Sequence, residues 1–116
     1  MKVLFFVLNN VNKLEDLLIQ LSNRGLRGAT IINSTGMAQS LYGTNSLMMD
    51  SLKVLLNPGS EENRTIFTIV DDEQEKMFYE VVNEVIGPLS KPNTGIIFTL
   101  PIDSFNGLVP KKSQDK

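Results

Sequence analysis

One succession of patterns occurs twice along the chain: a short apolar run, a segment with apolar residues at helical spacing, and a second run rich in β-branched residues. The first apolar run, Val3–Leu8, predicts a strand that is buried on both faces. Gly28–Asn33 predicts the second strand. Between them, residues 13–24 carry a stripe that predicts a helix, formed by Leu14, Leu17, Leu18 and Leu21.

The ends of the two helices can also be predicted. Asn12 is a candidate N-cap for the first helix, and Glu15 follows it at the spacing of a capping box. Gly25 is the type of residue that often follows a helix C-terminus. The second helix is expected to begin at Asp71 and Asp72, because carboxylates stabilise the N-terminal end of the helix dipole.

The second half of the chain has the same order as the first. Arg64–Val70 predicts the third strand, and Gly95–Leu100 predicts the fourth, which Pro101 ends. Gly87 and Pro88 are expected to stop the helix between these strands. That helix has its own apolar stripe, formed by Met77, Val81, Val82 and Val85.

Ser34–Asn63, between the two halves, is weakly specified: Ser34–Ser46 has no clear period, and Leu47–Asn63 fits either a helix or a strand. Loops of this length are uncommon in compact domains and are often functional. The length of the chain, 116 residues, favours one domain. The sequence therefore predicts a single domain over residues 1–116, with a long loop inserted at about 37–63.

This order of elements predicts an α+β protein with a ferredoxin-like βαββαβ arrangement, in which a four-stranded antiparallel sheet carries two helices on one face. Val3–Leu8 and Gly95–Leu100 are apolar at consecutive positions, whereas strands with one solvated face usually alternate apolar and polar residues. We therefore expect the second face of the sheet to be buried in an oligomer.

Composition narrows the classes of function. The net charge of −2 argues against nucleic acid as a partner, because phosphate binding needs a basic surface. The chain has no histidine and no cysteine, which excludes zinc sites built from those residues and nucleophiles activated by histidine. We therefore expect a protein that is not an enzyme, and we assign no residue to a metal. A site for a hard cation, built from carboxylates alone, stays open.

The apolar run near the start, Val3–Leu8, is shorter than the apolar region of a secretory signal, which needs about 7–15 residues. No stretch approaches the roughly 20 apolar residues that a membrane span requires. The expected location is the cytoplasm, without membrane insertion.

Four segments resemble the nitrogen-regulatory P-II family: KLEDLLIQLSNRGLRGATI, TGMAQ, IVDDEQEKMFYEVVNEVI and NTGIIFTLPID. The likeness covers about residues 2–39 and 64–103, on either side of a long loop. It implies a homotrimer whose three sheets line the centre and whose clefts between subunits bind a small effector, often an adenine nucleotide. It also implies that the long loop passes the ligand state to a regulated partner protein.

The resemblance implies ligand-binding roles at the base of the long loop and in the turn before the fourth strand. The last segment, NTGIIFTLPID, also reads simply as a turn that feeds a buried strand. The matching positions are Thr30, Gly36, Gln39, Asn93, Thr94 and Gly95.

A second branch of PII-like proteins, which binds cyclic di-AMP, resembles this chain at IFTLPIDSF. In that branch an arginine at the start of the second strand and an apolar residue after the loop glycines contact the ligand. Arg27 and Met37 match those two positions. The resemblance therefore implies an adenine nucleotide or a cyclic dinucleotide as the effector, and no cofactor.

The chain departs from the P-II pattern where that family binds the triphosphate. Ile96 stands where the family has a phosphate-binding lysine, and the Arg-x-Arg after the last strand is missing. Each charge-assisted hydrogen bond lost in this way is worth about 1.5–3 kcal/mol. We therefore do not expect tight ATP binding by the family's usual contacts.

Three alternatives remain open at this stage. One is a trimer like the divalent-cation-tolerance proteins of the same fold, although soft metals prefer the histidine and cysteine that this chain lacks. Another is a structural trimer that has lost its ligand. The third is an enzyme, for which turnover of a nucleotide would be the test.

Overall fold

The computed structural model describes residues 1–37, 62–91 and 94–108. Most of the predicted long loop, residues 38–61, lies outside the described residues. The elements are β1 (Lys2–Leu8), a 3-10 turn (Val11–Lys13), α1 (Leu14–Asn23), β2 (Thr30–Thr35), β3 (Glu62–Val70), α2 (Asp72–Val85) and β4 (Gly95–Pro101).

The four strands form one sheet in the order β2-β3-β1-β4, and every neighbouring pair is antiparallel. β3 separates β1 from β2, and β1 separates β3 from β4, so each strand-helix-strand unit is split by a strand of the other. The two helices contact each other. The predicted α+β class, with a four-stranded antiparallel sheet and two helices, is confirmed.

The core lies between the helices and one face of the sheet. Phe6 of β1 packs edge-to-face on Phe78 of α2, with ring centroids 6.1 Å apart. Burying a side chain of this kind contributes about 1.5–3 kcal/mol. Phe78 was not part of the predicted stripe, which took in Met77 beside it. The other fully buried side chains include Leu4, Leu8, Leu17, Ile66, Val70 and Val81.

The opposite face of the sheet is apolar and is not covered by the helices. Phe5 lies at its centre, directly across from Phe67 on β3 and from Phe98 on β4. The rings of Phe5 and Phe98 stack with centroids 5.0 Å apart. Ile96 and Phe98 remain 63% and 45% exposed. We call this surface the open face; in addition to these residues it includes Val3, Val7, Ile32, Thr65, Ile69 and Leu100.

Two local predictions are wrong. Asn12 does not cap α1, because it lies inside the 3-10 turn. Asn10 caps that turn instead: its backbone is extended, and its side chain accepts a hydrogen bond from the Asn12 backbone N–H. Lys13 precedes α1 without a side-chain cap. The second strand begins two residues later than predicted, at Thr30, because the Gly28 carbonyl accepts a hydrogen bond from Thr68 Oγ1 at 2.6 Å instead of entering the ladder.

Candidate functional site

A groove of about 730 Å³ lies at one end of the sheet. Residues from three stretches that are distant in sequence line it, together with Met1. The first stretch is residues 25–30 between α1 and β2. The second supplies Phe67, Thr68 and Ile69 of β3 with Asp71 and Gln74 at the start of α2, and the third supplies Phe105, Gly107 and Leu108 after β4. The volume is within the range of about 300–1,000 Å³ that is usual for small-molecule sites. Most of the lining is apolar, with a few polar side chains, which is also typical of such sites.

The stretch from residue 25 to residue 30 is held in place at several points. Gly25 has a φ of 103°, which lets the chain reverse after α1. Leu26 is buried in the core, and the Gly28 carbonyl accepts the hydrogen bond from Thr68. Arg24, just before this stretch, pairs with Glu80 of α2 at 2.6 Å. These contacts fix the backbone that carries Arg27 into the groove.

The start of α2 also lines the groove, and a capping box fixes its backbone. The Asp71 carboxylate accepts a hydrogen bond from the Gln74 backbone N–H at 2.8 Å. The Gln74 side chain in turn accepts one from the Asp71 backbone N–H at 2.9 Å. Both side chains are half-buried and both line the groove. The capping box therefore holds two polar side chains at the groove.

An ionic cluster beside the groove ties α2 to the first strand. Lys2 Nζ lies 2.8 Å from Glu75 Oε1, and the Tyr79 hydroxyl donates to Glu75 Oε2 at 2.7 Å. The hydrogen bond from Lys2, followed by the one from Tyr79, lowers the pKa of Glu75. The same contact with Glu75 raises the pKa of Lys2. Burial, and then the hydrogen bond to Glu75, raises the pKa of Tyr79.

The structure brings two of the predicted ligand residues together. Arg27 and Thr30 both line the groove. A smaller recess of about 170 Å³ lies against Leu18 and Leu21 of α1, and Arg27 borders it as well. This recess is below the usual size of a ligand site. The larger groove is therefore the candidate site.

The predicted residues at the base of the long loop lie elsewhere. Gly36 and Met37 follow the far end of β2, and the Met37 side chain is 63% exposed. Gln39 and Asn93 lie outside the described residues. The roles of these four residues in ligand binding stay predictions.

Thr94, in the turn before β4, and Gly95, the first residue of β4, both make close contacts within the chain. Thr94 Oγ1 donates to the Lys91 carbonyl at 2.8 Å. A Cβ on Gly95 would lie 2.5 Å from the Val7 carbonyl oxygen and 2.7 Å from the ring of Phe6. These contacts explain both residue types without a ligand, and their ligand role stays a prediction.

Gly95 and Thr30 lie far apart within one subunit. Gly95 is in the same row of the ladder as Asn33, at the opposite edge of the sheet. Three strand spacings separate β2 from β4, which is about 14 Å, and Thr30 is about 10 Å further along its strand than Asn33. Arg27 with Thr30, and Thr94 with Gly95, therefore form two separate sets on one subunit, and Gly36 and Met37 lie at a third place after β2.

Several residues of the groove were not predicted as site residues. Asp71 was predicted only as a helix cap, and Gln74 was not singled out. Their separation of three residues is the spacing of a capping box, so their proximity could have been found from the sequence. Phe67 and Phe105 also line the groove. Phe105 reaches it only because of the path of the chain after β4, which the sequence pattern does not specify.

Within residues 1–37, 62–91 and 94–108, no helix is long and apolar enough to cross a membrane. The same ranges contain no group of three or more acidic side chains that could hold a metal ion. No protein-family model matches the sequence, and no curated protein matches it significantly. The resemblance to the P-II family therefore stays a prediction, and the groove and the open face carry the functional argument.

Proposed function

We propose that this protein is a PII-like regulatory subunit, which forms a homotrimer in the cytoplasm and senses a small adenine nucleotide between subunits. Its long loop then regulates a partner protein, in keeping with a role in nitrogen regulation. The observation that carries the proposal is the position of Arg27 and Thr30. The sequence resemblance implies a ligand role for both residues, and both line a groove of ligand size.

The open face supports the assembly. Large uncovered apolar patches mark interaction surfaces, because a monomer rarely leaves them in contact with water. Phe98 and its neighbours on β4 provide such a patch, next to the aromatic stack with Phe5. A cyclic trimer would bury this surface around its axis.

The separation of the two ligand sets also favours a cyclic assembly. A ring joins two different surfaces of neighbouring subunits at every interface. The groove with Thr30 on one subunit could then face the turn with Gly95 on the next. One effector would contact both sets, although they are far apart on a single chain.

The charges favour an effector with few phosphates. Arg27 is the one cationic side chain among the described residues that line the groove, and Asp71 adds a negative charge. Ile96, in place of the family's lysine, brings no charge to the open face. AMP or a cyclic dinucleotide suits this balance better than ATP does. Cyclic di-AMP is the second candidate, because Arg27 matches the arginine of the branch that binds it.

The test is thermal unfolding of the protein with millimolar ATP, ADP, AMP, cyclic AMP or cyclic di-AMP. A ligand at 100 times its dissociation constant stabilises the native state by about 2.7 kcal/mol. We expect AMP or cyclic di-AMP to raise the melting temperature, and Arg27→Gln to reduce the shift. Lys13→Gln is the control, because it removes a cation that does not line the groove. No shift with any of the five nucleotides would contradict the proposal.

A further inference from the structure

The capping box at the start of α2 determines which atoms of two side chains remain for a ligand. Within a carboxamide only the oxygen accepts a hydrogen bond, so the bond from the Asp71 backbone N–H identifies the Gln74 atom that it meets as Oε1. The bond from the Gln74 backbone N–H engages Asp71 Oδ1. Gln74 Nε2, a donor, and Asp71 Oδ2, an acceptor, are therefore not used by the capping box.

Both side chains line the groove, as Arg27 does. Their conformations are fixed by the capping box, and the neighbouring contact between Glu75 and Lys2 holds the first turn of α2 against β1. A fixed acceptor and a fixed donor in the lining of one groove can distinguish ligands, because a group of the wrong hydrogen-bonding polarity leaves a half-buried side chain unsatisfied.

We propose that Asp71 and Gln74 determine the specificity of the groove by reading the edge of a flat heteroaromatic ring. Asp71 Oδ2 accepts from an N–H group of the ring, and Gln74 Nε2 donates to a ring nitrogen beside it. The 6-aminopurine edge has this pair of groups, as shown by the use of Gln and Asn to read adenine in nucleic acids. The inference rests on the proposed function, in which this groove holds an adenine nucleotide.

The apolar lining of the groove suits the same ligand. Phe67 and Phe105 border the groove, and aromatic side chains favour stacked or edge-on contacts with a flat ring. Arg27 supplies a positive charge for a single phosphate. The adenine ring would thus contact the two phenylalanines, its edge would contact Asp71 and Gln74, and the phosphate would contact Arg27.

Two substitutions change the hydrogen-bonding polarity and keep the capping box. Asp71→Asn retains an oxygen for the Gln74 backbone N–H, and asparagine is as good an N-cap as aspartate. It replaces the acceptor Oδ2 with a donor. Gln74→Glu retains the capping-box oxygen and replaces the donor Nε2 with an acceptor. The matched control for the lost charge is Asp72→Asn, since the Asp72 side chain is 95% exposed and does not line the groove.

The experiment is isothermal titration of the full chain with AMP, with cyclic di-AMP, and with purine riboside 5′-monophosphate, which lacks the 6-amino group. We expect the wild type to bind AMP more tightly than the purine riboside by about tenfold or more. Asp71→Asn should remove this preference, Gln74→Glu should weaken AMP binding by a similar factor, and Asp72→Asn should change neither. Melting temperatures should show that all three variants are folded.

The outcomes separate this inference from the proposed function. If the wild type binds AMP or cyclic di-AMP and both groove variants bind it equally well, the roles of Asp71 and Gln74 are wrong and the effector site stands. Equal binding of AMP and the purine riboside by the wild type would also overturn the reading of the ring edge. If the wild type binds neither AMP nor cyclic di-AMP, this inference fails. The proposed function fails with it when ATP, ADP and cyclic AMP also produce no shift in melting temperature.

Discussion

Gly95, the first residue of β4, shows how tightly a single position can be constrained. Its backbone lies against β1, so a side chain would meet the Val7 carbonyl oxygen and the buried ring of Phe6. Neither neighbour can move freely, because the first belongs to the sheet ladder and the second is fully buried. The presence of glycine here is thus explained by packing.

We expect Gly95→Ala to reduce the free energy of unfolding by about 1–3 kcal/mol, the usual effect of overpacking. Gly28→Ala is the control, because a Cβ at Gly28 would have no atom within 4 Å. Urea unfolding of the three proteins provides the comparison. If Gly95→Ala is as stable as the wild type, the contacts with Val7 and Phe6 do not explain the glycine at this position.

At the scale of elements, the attachment of α2 to β1 depends on ionisation. Glu75 receives hydrogen bonds from Lys2 and Tyr79, which together lower its pKa. A carboxylate whose pKa is lower in the folded state stabilises that state above its unfolded pKa, about 4.3 for glutamate. The stabilisation is lost as the pH falls through the lowered, folded pKa.

We therefore expect Glu75→Gln to be less stable than the wild type near neutral pH and to approach it in acid. The measurement is the urea midpoint of both proteins from pH 3 to pH 8. Glu15→Gln, which removes an exposed carboxylate from the first turn of α1, serves as the control. A difference between wild type and Glu75→Gln that does not change with pH would argue against the ionic contact as its cause.

The sequence predicted the elements well where periodicity determines them. The leucine stripe of α1 and the apolar runs of the strands were enough to identify these elements. Burial of one face of a helix imposes a regular spacing on its apolar residues, and burial of a strand produces a short apolar run. The N-terminus of α1 was predicted wrongly, because Asn10 and Asn12 both have suitable side chains and the 3-10 turn decides between them. The start of β2 depends on a hydrogen bond from Thr68, a residue that is remote in sequence.

The candidate site could be predicted only in part, because it too depends on contacts between residues that are remote in sequence. Arg27 and Thr30 were found by resemblance, and Asp71 and Gln74 share a local spacing. The groove itself requires residues near 27, 70 and 105 to meet, which no local pattern specifies. Sequence reasoning therefore identified some of the residues of the groove and missed its aromatic lining.

At the scale of the whole molecule, the packing of a single chain does not explain why the open face is apolar. The core accounts for the face of the sheet under the helices, whereas the aromatic row of Phe67, Phe5 and Phe98 is partly exposed to water. An assembly through this face would bury the row and bring the groove of one subunit next to another. We therefore expect the protein to assemble through the open face.

The most direct test is the molar mass of the wild type and of Phe98→Asp by sedimentation equilibrium. We expect a mass close to three times the 12.9 kDa of one chain for the wild type. For Phe98→Asp we expect a mass close to 12.9 kDa, because a carboxylate cannot be buried at the axis of the trimer. Ile19→Asp, at an exposed apolar position on α1, should remain trimeric. A wild type that is monomeric at all concentrations, or a Phe98→Asp variant that remains trimeric, would contradict assembly through the open face.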